Sequence, residues 1–249
     1  MDHAHRVAAA LLCLTLAASA DNLRSIPVRH GLVGAWGYQG YSNSSFAIDV
    51  SRSGNIATCT NNAAWTSGAF VLDGTGDFLW VAHDDRLLTA SRTICAWVKL
   101  DVLEDVGVVC TPYSAATSPT DPYFEFGGGI DASFGGRFFG LLNLDGAYQA
   151  TWIATDAIDA GVWYHLALTW DGVTLATYID GELAESNVYG GGTITHDGTP
   201  SLCIGAKSAH WTATNGELDG QINEVPIYNR ALTAAEIKRC FAEGKRRHP

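Results

Sequence analysis

The chain of 249 residues carries 15 Lys and Arg against 26 Asp and Glu, and its formal net charge of −11 argues against a phosphate-backbone partner such as nucleic acid. Charged residues make up 16% of the chain and apolar ones 47%, which excludes both a disordered tail and a coiled coil. Eight Trp and 27 Gly beside a single Met favour strands and tight turns, because aromatic side chains fit pleated surfaces and Gly supplies positive φ.

Residues 1–20 read as a secretory leader: His3, His5 and Arg6 open it, an apolar run extends from Val7 to Ala18, and Ala18-Ser19-Ala20 precedes Asp21. No other stretch is apolar for long enough to span a membrane. Cleavage would remove Cys13 and leave Cys59, Cys95, Cys110, Cys203 and Cys240, none of them at zinc-knuckle or redox-motif spacing. Structural disulfides and buried thiols both fit this set. Cys95 and Cys110 lie in successive apolar segments and form a candidate pair, subject to Cβ geometry.

From His30 onward, short apolar or alternating runs are separated by Gly, Asp and Asn, the rhythm of an antiparallel sandwich. Asp-Gly recurs at Asp73, Asp145, Asp171, Asp180, Asp197 and Asp219, and several of these dipeptides are expected at hairpin ends. The clearest meander runs from Trp163 to Trp170, turns at Asp171-Gly172, continues to Ile179 and turns again at Asp180-Gly181. The Pro-containing stretch from Thr111 to Pro122 reads as a long loop within one domain. Thr233 and Glu236 form a capping box for a short helix with Ile237 and Phe241 on one face and Gly244 placed to stop it. The organisation expected is a leader over 1–20, one domain over 21–244 and a solvated basic tail over 245–249.

Specific strings follow in order: GLVGAW from Gly31, DVSRSGN from Asp49, FVLDGTGDFLWV from Phe70, TICAWVKL from Thr93, WYHLALTWDG from Trp163, TYIDGELAES from Thr177, LCIGAKS from Leu202 and GQINEVPIYNRALTAAEI from Gly220. Through them the chain resembles laminin-G-like domains of the concanavalin-A-like lectin/glucanase superfamily over about Gly31 to Ile237. The resemblance implies an all-β fold, a two-sheet antiparallel jelly-roll sandwich with a short C-terminal helix, often secreted and used to bind glycans or proteins. It also implies one structural calcium ion held by oxygen ligands, with Asp49, Asn55 and Asn223 at the matching positions. Asn223 stands where the motif usually has Asp, which removes a charge from such a site. Asp49 equally suits the role of a turn cap.

Catalytic patterns are missing from the sequence. Glycosidases of this fold need a strand carrying Glu-x-Asp-x-x-Glu, whereas Glu125 stands alone in its segment. Tyr164 and His165 are adjacent on a strand and so face opposite sides, which argues against a shared lyase site; the resemblance implies a His at position 165, in a structural role. His83, Asp84 and Asp85 are spaced for a surface turn rather than a metal shell. Trp97, Trp163 and Trp170 sit among aliphatics and are expected in the core.

Sugar binding needs exposed aromatic faces near hydrogen-bonding side chains, and the candidates are Trp211, Tyr113, Tyr123 and Trp80. Trp80 alternates with Leu79 and Val81 and so points outward if they point inward. Asn43-Ser44-Ser45 is a glycosylation acceptor in a eukaryotic secretory host. The function expected is a non-catalytic secreted or surface module that binds carbohydrate. The alternative is a structural or decorating protein, on a cell surface or virion, that binds another protein.

Overall fold

The computed structural model describes residues 26–38, 42, 45–112, 124–131, 136–152, 158–194, 201–207 and 216–248. The expected leader and the acceptor at Asn43 lie outside these. In chain order the strands are β1 (Leu32–Trp36), β2 (Phe46–Ala47), β3 (Ala57–Cys59), β4 (Ala64–Thr66), β5 (Ala69–Asp73), β6 (Leu79–Val81), β7 (Arg92–Leu100), β8 (Val106–Pro112) and β9 (Phe124–Asp131). They continue with β10 (Arg137–Leu144), β11 (Ala147–Trp152), β12 (Trp163–Trp170), β13 (Thr174–Ile179), β14 (Glu182–Val188), β15 (Leu202–Ile204), β16 (Asp219–Asn223) and β17 (Val225–Tyr228), and helix α1 (Ala234–Gly244) closes the series. No helix among the described residues is long and apolar enough to cross a membrane.

Two antiparallel sheets stack as a jelly-roll sandwich. One runs β14-β13-β12-β7-β16-β5-β4, with β17 pairing both β7 and β1; the other runs β11-β10-β9-β8-β15-β6-β3-β2. Alternation along each strand decides what lies between them. On β7, Ile94, Ala96, Val98 and Leu100 enter the interlayer core, as do Leu166, Leu168 and Trp170 of β12, Leu79 and Val81 of β6, and Leu202 and Ile204 of β15. Trp170 is fully buried there as expected, whereas Trp97 is buried on the opposite face of its strand and Trp163 is only half-buried.

The outer face of the nine-stranded sheet is also covered. Cys95, Ala167, Ala176, Tyr178 and Tyr228 pack there against Leu232, Ile237 and Cys240 in and before α1. The helix begins with the capping box expected from its sequence: the Thr233 hydroxyl accepts from Glu236 N at 3.3 Å, and the Glu236 carboxylate accepts from Thr233 N at 2.9 Å. Gly244 has a different role from the one its position suggests. It is the last helical residue rather than a left-handed stop, and a Cβ built on it would lie 2.1 Å from Trp97 Nε1. Glycine is required there because the helix backbone lies directly on the Trp97 ring.

The basic tail is solvated at Lys245 and Arg246 but engaged at its last described residues. Arg247 forms an ion pair with Glu224, and His248 is buried, stacked on Trp97 with ring centroids 4.5 Å apart. The Asp-Gly signals divide in a physically sensible way. Asp145-Gly146 and Asp180-Gly181 both have positive φ at each residue and close the β10–β11 and β13–β14 hairpins. At the β12–β13 turn the Asp171 carboxylate accepts from Val173 N and Thr174 N. Asp219-Gly220 is no turn; it begins β16, where a Cβ on Gly220 would meet Lys99 O at 2.2 Å.

The disulfide expectation also fails. β7 and β8 are consecutive but belong to opposite sheets, and both thiols point away from the interlayer, Cys95 toward the α1 cluster and Cys110 toward Phe139. All five described cysteines are unbridged. Cys110 lies instead across from Cys203 in the β8–β15 pairing.

Candidate functional site

A sandwich has two outer faces, and here they differ. On the nine-stranded sheet, Asn223, Trp97 and His165 stand side by side in register across β16, β7 and β12. The end of α1 and the tail close over this row. His248 Nδ1 bonds Gly244 O at 3.0 Å, which makes that nitrogen the donor and leaves Nε2 to accept from Asn223 Nδ2 at 3.2 Å. Burial holds the His165 pKa down at about 3 and lowers that of His248 as well, so both imidazoles are neutral. His165 is therefore buried beneath the end of α1 and shielded from solvent.

The outer face of the eight-stranded sheet carries a different row. Phe46, Thr58, Trp80, Cys203, Cys110, Gly127, Leu141 and Ala150 follow one another in register from β2 to β11. Leu79 and Val81 are buried on either side of Trp80, while Trp80 itself is 38% exposed. The alternation argument therefore holds. Among the described side chains Trp80 is the one exposed aromatic, and Ile56, just before β3, is exposed at 41%. Thr58, directly opposite Trp80, is exposed and offers a hydroxyl.

The other aromatic candidates, Tyr113, Tyr123 and Trp211, lie outside the described residues. Their flanks are described: Pro112 pairs with Phe124 at one end of β8, whereas Gly216 O accepts from Lys207 N and from Gly107 N at the other end. The two segments thus attach at opposite ends of β8. Glu125 lies on β9, with its side chain outside the described set. Asp84 and Asp85 sit in a surface turn, where Asp84 holds the Arg86 guanidinium and its own pKa is pulled down to about 2 by that hydrogen bond.

The residues at the expected calcium positions are engaged in hydrogen bonds. Asp49 is buried; its Oδ1 accepts from Ala35 N at 2.9 Å and Ser51 N at 2.8 Å, and its Oδ2 from Asn55 N at 3.1 Å. Those bonds occupy both lone pairs of Oδ1 and one of Oδ2. The Asn55 carbonyl accepts from Trp36 Nε1 at 2.6 Å. Asn223 is engaged by His248, and its buried Oδ1 lies where a Cβ on Gly37 would meet it at 2.7 Å. Asp49 thus caps the turn after it through Ser51 N and Asn55 N. Among the described residues no cluster of three His, Cys, Asp or Glu side chains could hold a metal.

Sequence reasoning missed the tail and its partners. Glu224, Asn223 and Trp97 give no local sign that residues 247 and 248 return to them; the available signal was an aromatic, Trp97, on the polar-facing side of an otherwise regular alternation.

No curated protein matches the sequence. Among solved structures, the Trypanosoma rangeli sialidase is similar with a TM-score of 0.66 at 18% identity, over 94% of this chain and 38% of that one. The binding domain of botulinum neurotoxin DC, solved in complex with SialylT, has a TM-score of 0.61 at 11% identity, over 86% of this chain and 52% of that one. Domain 4 of a GH43 extracellular arabinanase from Geobacillus stearothermophilus, solved with arabinotriose, has a TM-score of 0.58 at 18% identity, over 84% of this chain and 97% of that domain. These likenesses establish the fold, and the chain spans about a third of the sialidase's length. A laminin-G family model matches residues 73–238, and the chain belongs to the concanavalin A-like lectin/glucanases superfamily.

Proposed function

We propose that the protein is a non-catalytic, secreted or surface module that binds carbohydrate on the outer face of the eight-stranded sheet. The observation that carries this reading is Trp80, an exposed indole on a rigid strand with the Thr58 hydroxyl opposite it. An aromatic face packs against sugar C–H groups, and a strand fixes its orientation better than a loop does. Fold neighbours solved with arabinotriose and with SialylT support the ligand class. Tyr113, Tyr123 and Trp211 are proposed as further contacts at the two ends of β8.

The test is a glycan array followed by calorimetry on the best ligand. Trp80→Ala should weaken binding at least tenfold while the protein still unfolds cooperatively, at a melting temperature lowered by the packing that the buried part of the ring supplies. Parent-like affinity in this variant overturns the assignment of the face. Exposed Ile56, just before β3, favours a second reading, a protein partner on the same surface; a partner-binding protein that ignores every glycan and loses its partner in both Trp80→Ala and Ile56→Ser would establish that instead.

A further inference from the structure

We infer that a second site, separate from the Trp80 face, takes a single sugar ring bearing an oxyanion. A surface cavity of about 200 Å³ lies between β1 and the turn that follows Asp49, lined by Arg29, Leu32, Ser51 and Arg52. Both arginines are exposed, and among the described residues neither guanidinium has an acidic partner. Arg86, which braces the same turn, is by contrast held by Asp84. A chain with net charge −11 has acids to spare, so two unpartnered cations on one small cavity are not a shortage of counter-charge. Two guanidinium forks lining one cavity match the oxygens of carboxylate or sulfate.

The walls are also held in place. Asp49 ties Ala35 N of β1 to Ser51 N and Asn55 N of the turn, and Arg86 Nη2 donates to Ser53 O at 2.9 Å from the far side. Within that brace Arg52 adopts φ +84°, a left-handed conformation that a long side chain rarely takes. Local strain of this kind persists where the surroundings dictate it and is concentrated at ligand sites. The volume lies below the roughly 300–1,000 Å³ of sites for drug-sized ligands, which suits one ring rather than a chain. Leu32 supplies an apolar wall for ring C–H groups and Ser51 a hydroxyl. The oxyanion follows from the cavity itself, whereas the sugar ring rests on the carbohydrate reading above.

Titrations with glucuronate, glucose 6-sulfate, glucose and inorganic sulfate test the inference and separate its parts. Glucuronate, glucose 6-sulfate or both should bind, weakening as salt rises, while glucose at the same concentration gives no signal. Arg29→Gln and Arg52→Asn should each reduce that binding at least tenfold. Asn tolerates the left-handed backbone, and unchanged melting temperatures confirm that both variants are folded. Trp80→Ala should leave the affinity for glucuronate unchanged, so loss of the Trp80 site and loss of this one are distinguishable. Equal responses to glucose and glucuronate, or parent-like binding in both arginine variants, overturn the site. Arg-dependent binding of inorganic sulfate with none of either acidic sugar overturns the assignment to a sugar.

Discussion

Lowering the pH from 7.5 to 5 should destabilise the fold through His165, and replacing that residue by Phe should remove most of the effect. The imidazole is buried on β12 beneath α1, with Trp97 and Phe241 at centroid distances of 5.5 and 6.2 Å, and its Nδ1 has no hydrogen-bond partner. Desolvation holds its pKa at about 3, against 6.5 for an ordinary imidazole. The unfolded chain therefore takes up a proton below pH 6.5 that the native state refuses. The stability contributed by neutral His165 is complete above pH 6.5 and is lost progressively as pH falls toward 3. At pH 5 the chain is 1.5 units into that window, which at about 1.4 kcal/mol per unit amounts to about 2 kcal/mol. His248, shifted down by burial too, acts with the same sign. Burial raises the pKa of Asp49, Asp77, Asp180 and Asp219, and these carboxylates act with the opposite sign as acid neutralises them in the fold. Comparing parent and His165→Phe cancels both contributions. Urea unfolding at pH 7.5 and pH 5 should show the parent losing about 2 kcal/mol more than the variant. Equal losses in the two proteins would refute the buried neutral imidazole.

Gly244→Ala should cost about 2–3 kcal/mol by overpacking, because the new methyl meets Trp97 Nε1 and the helix end must lift; the check is thermal unfolding together with the near-UV signal of the stacked Trp97. Asp49→Ala should cost about 2 kcal/mol or more by leaving backbone N–H groups of β1 and the turn unpaired. That loss should be identical in calcium and in chelator, and a calcium-dependent difference in melting temperature that the variant abolishes would restore the metal role. Burial pushes the thiols of Cys95, Cys110 and Cys203 well above their ordinary range, so mass spectrometry after iodoacetamide at pH 8 should find them unmodified in native protein and labelled only after denaturation.

What the sequence made legible is what depends on near neighbours. The capping box, the Asp145 and Asp180 hairpins and the outward Trp80 are each set within a few residues by cap chemistry, positive φ or strand alternation. The readings that failed needed knowledge of which strand lies beside which. Asp219-Gly220 has the composition of a turn, yet Gly is there because the Lys99 carbonyl on β7 leaves no space for a Cβ. Cys95 and Cys110 are neighbours along the chain but occupy different sheets, since β7 and β8 are joined by a crossover.

The tail shows the same dependence, and it bears on function. A run of Lys245, Arg246, Arg247 and His248 looks solvated by composition, and Lys245 and Arg246 are; Arg247 and His248 are drawn down because Trp97, His165 and Asn223 form a row that would otherwise face water, and Glu224 supplies the counter-charge for Arg247. Closing that row covers the Trp97, His165 and Asn223 part of one outer face, while Leu183 and Val188 on β14 stay exposed. The end of α1 and the residues after it thus cover the centre of one outer face, whereas on the other sheet Trp80 stands exposed. The exposed indole on β6, and beside β1 two arginines with no acidic partner among the described residues, lie on surface that this closure leaves open.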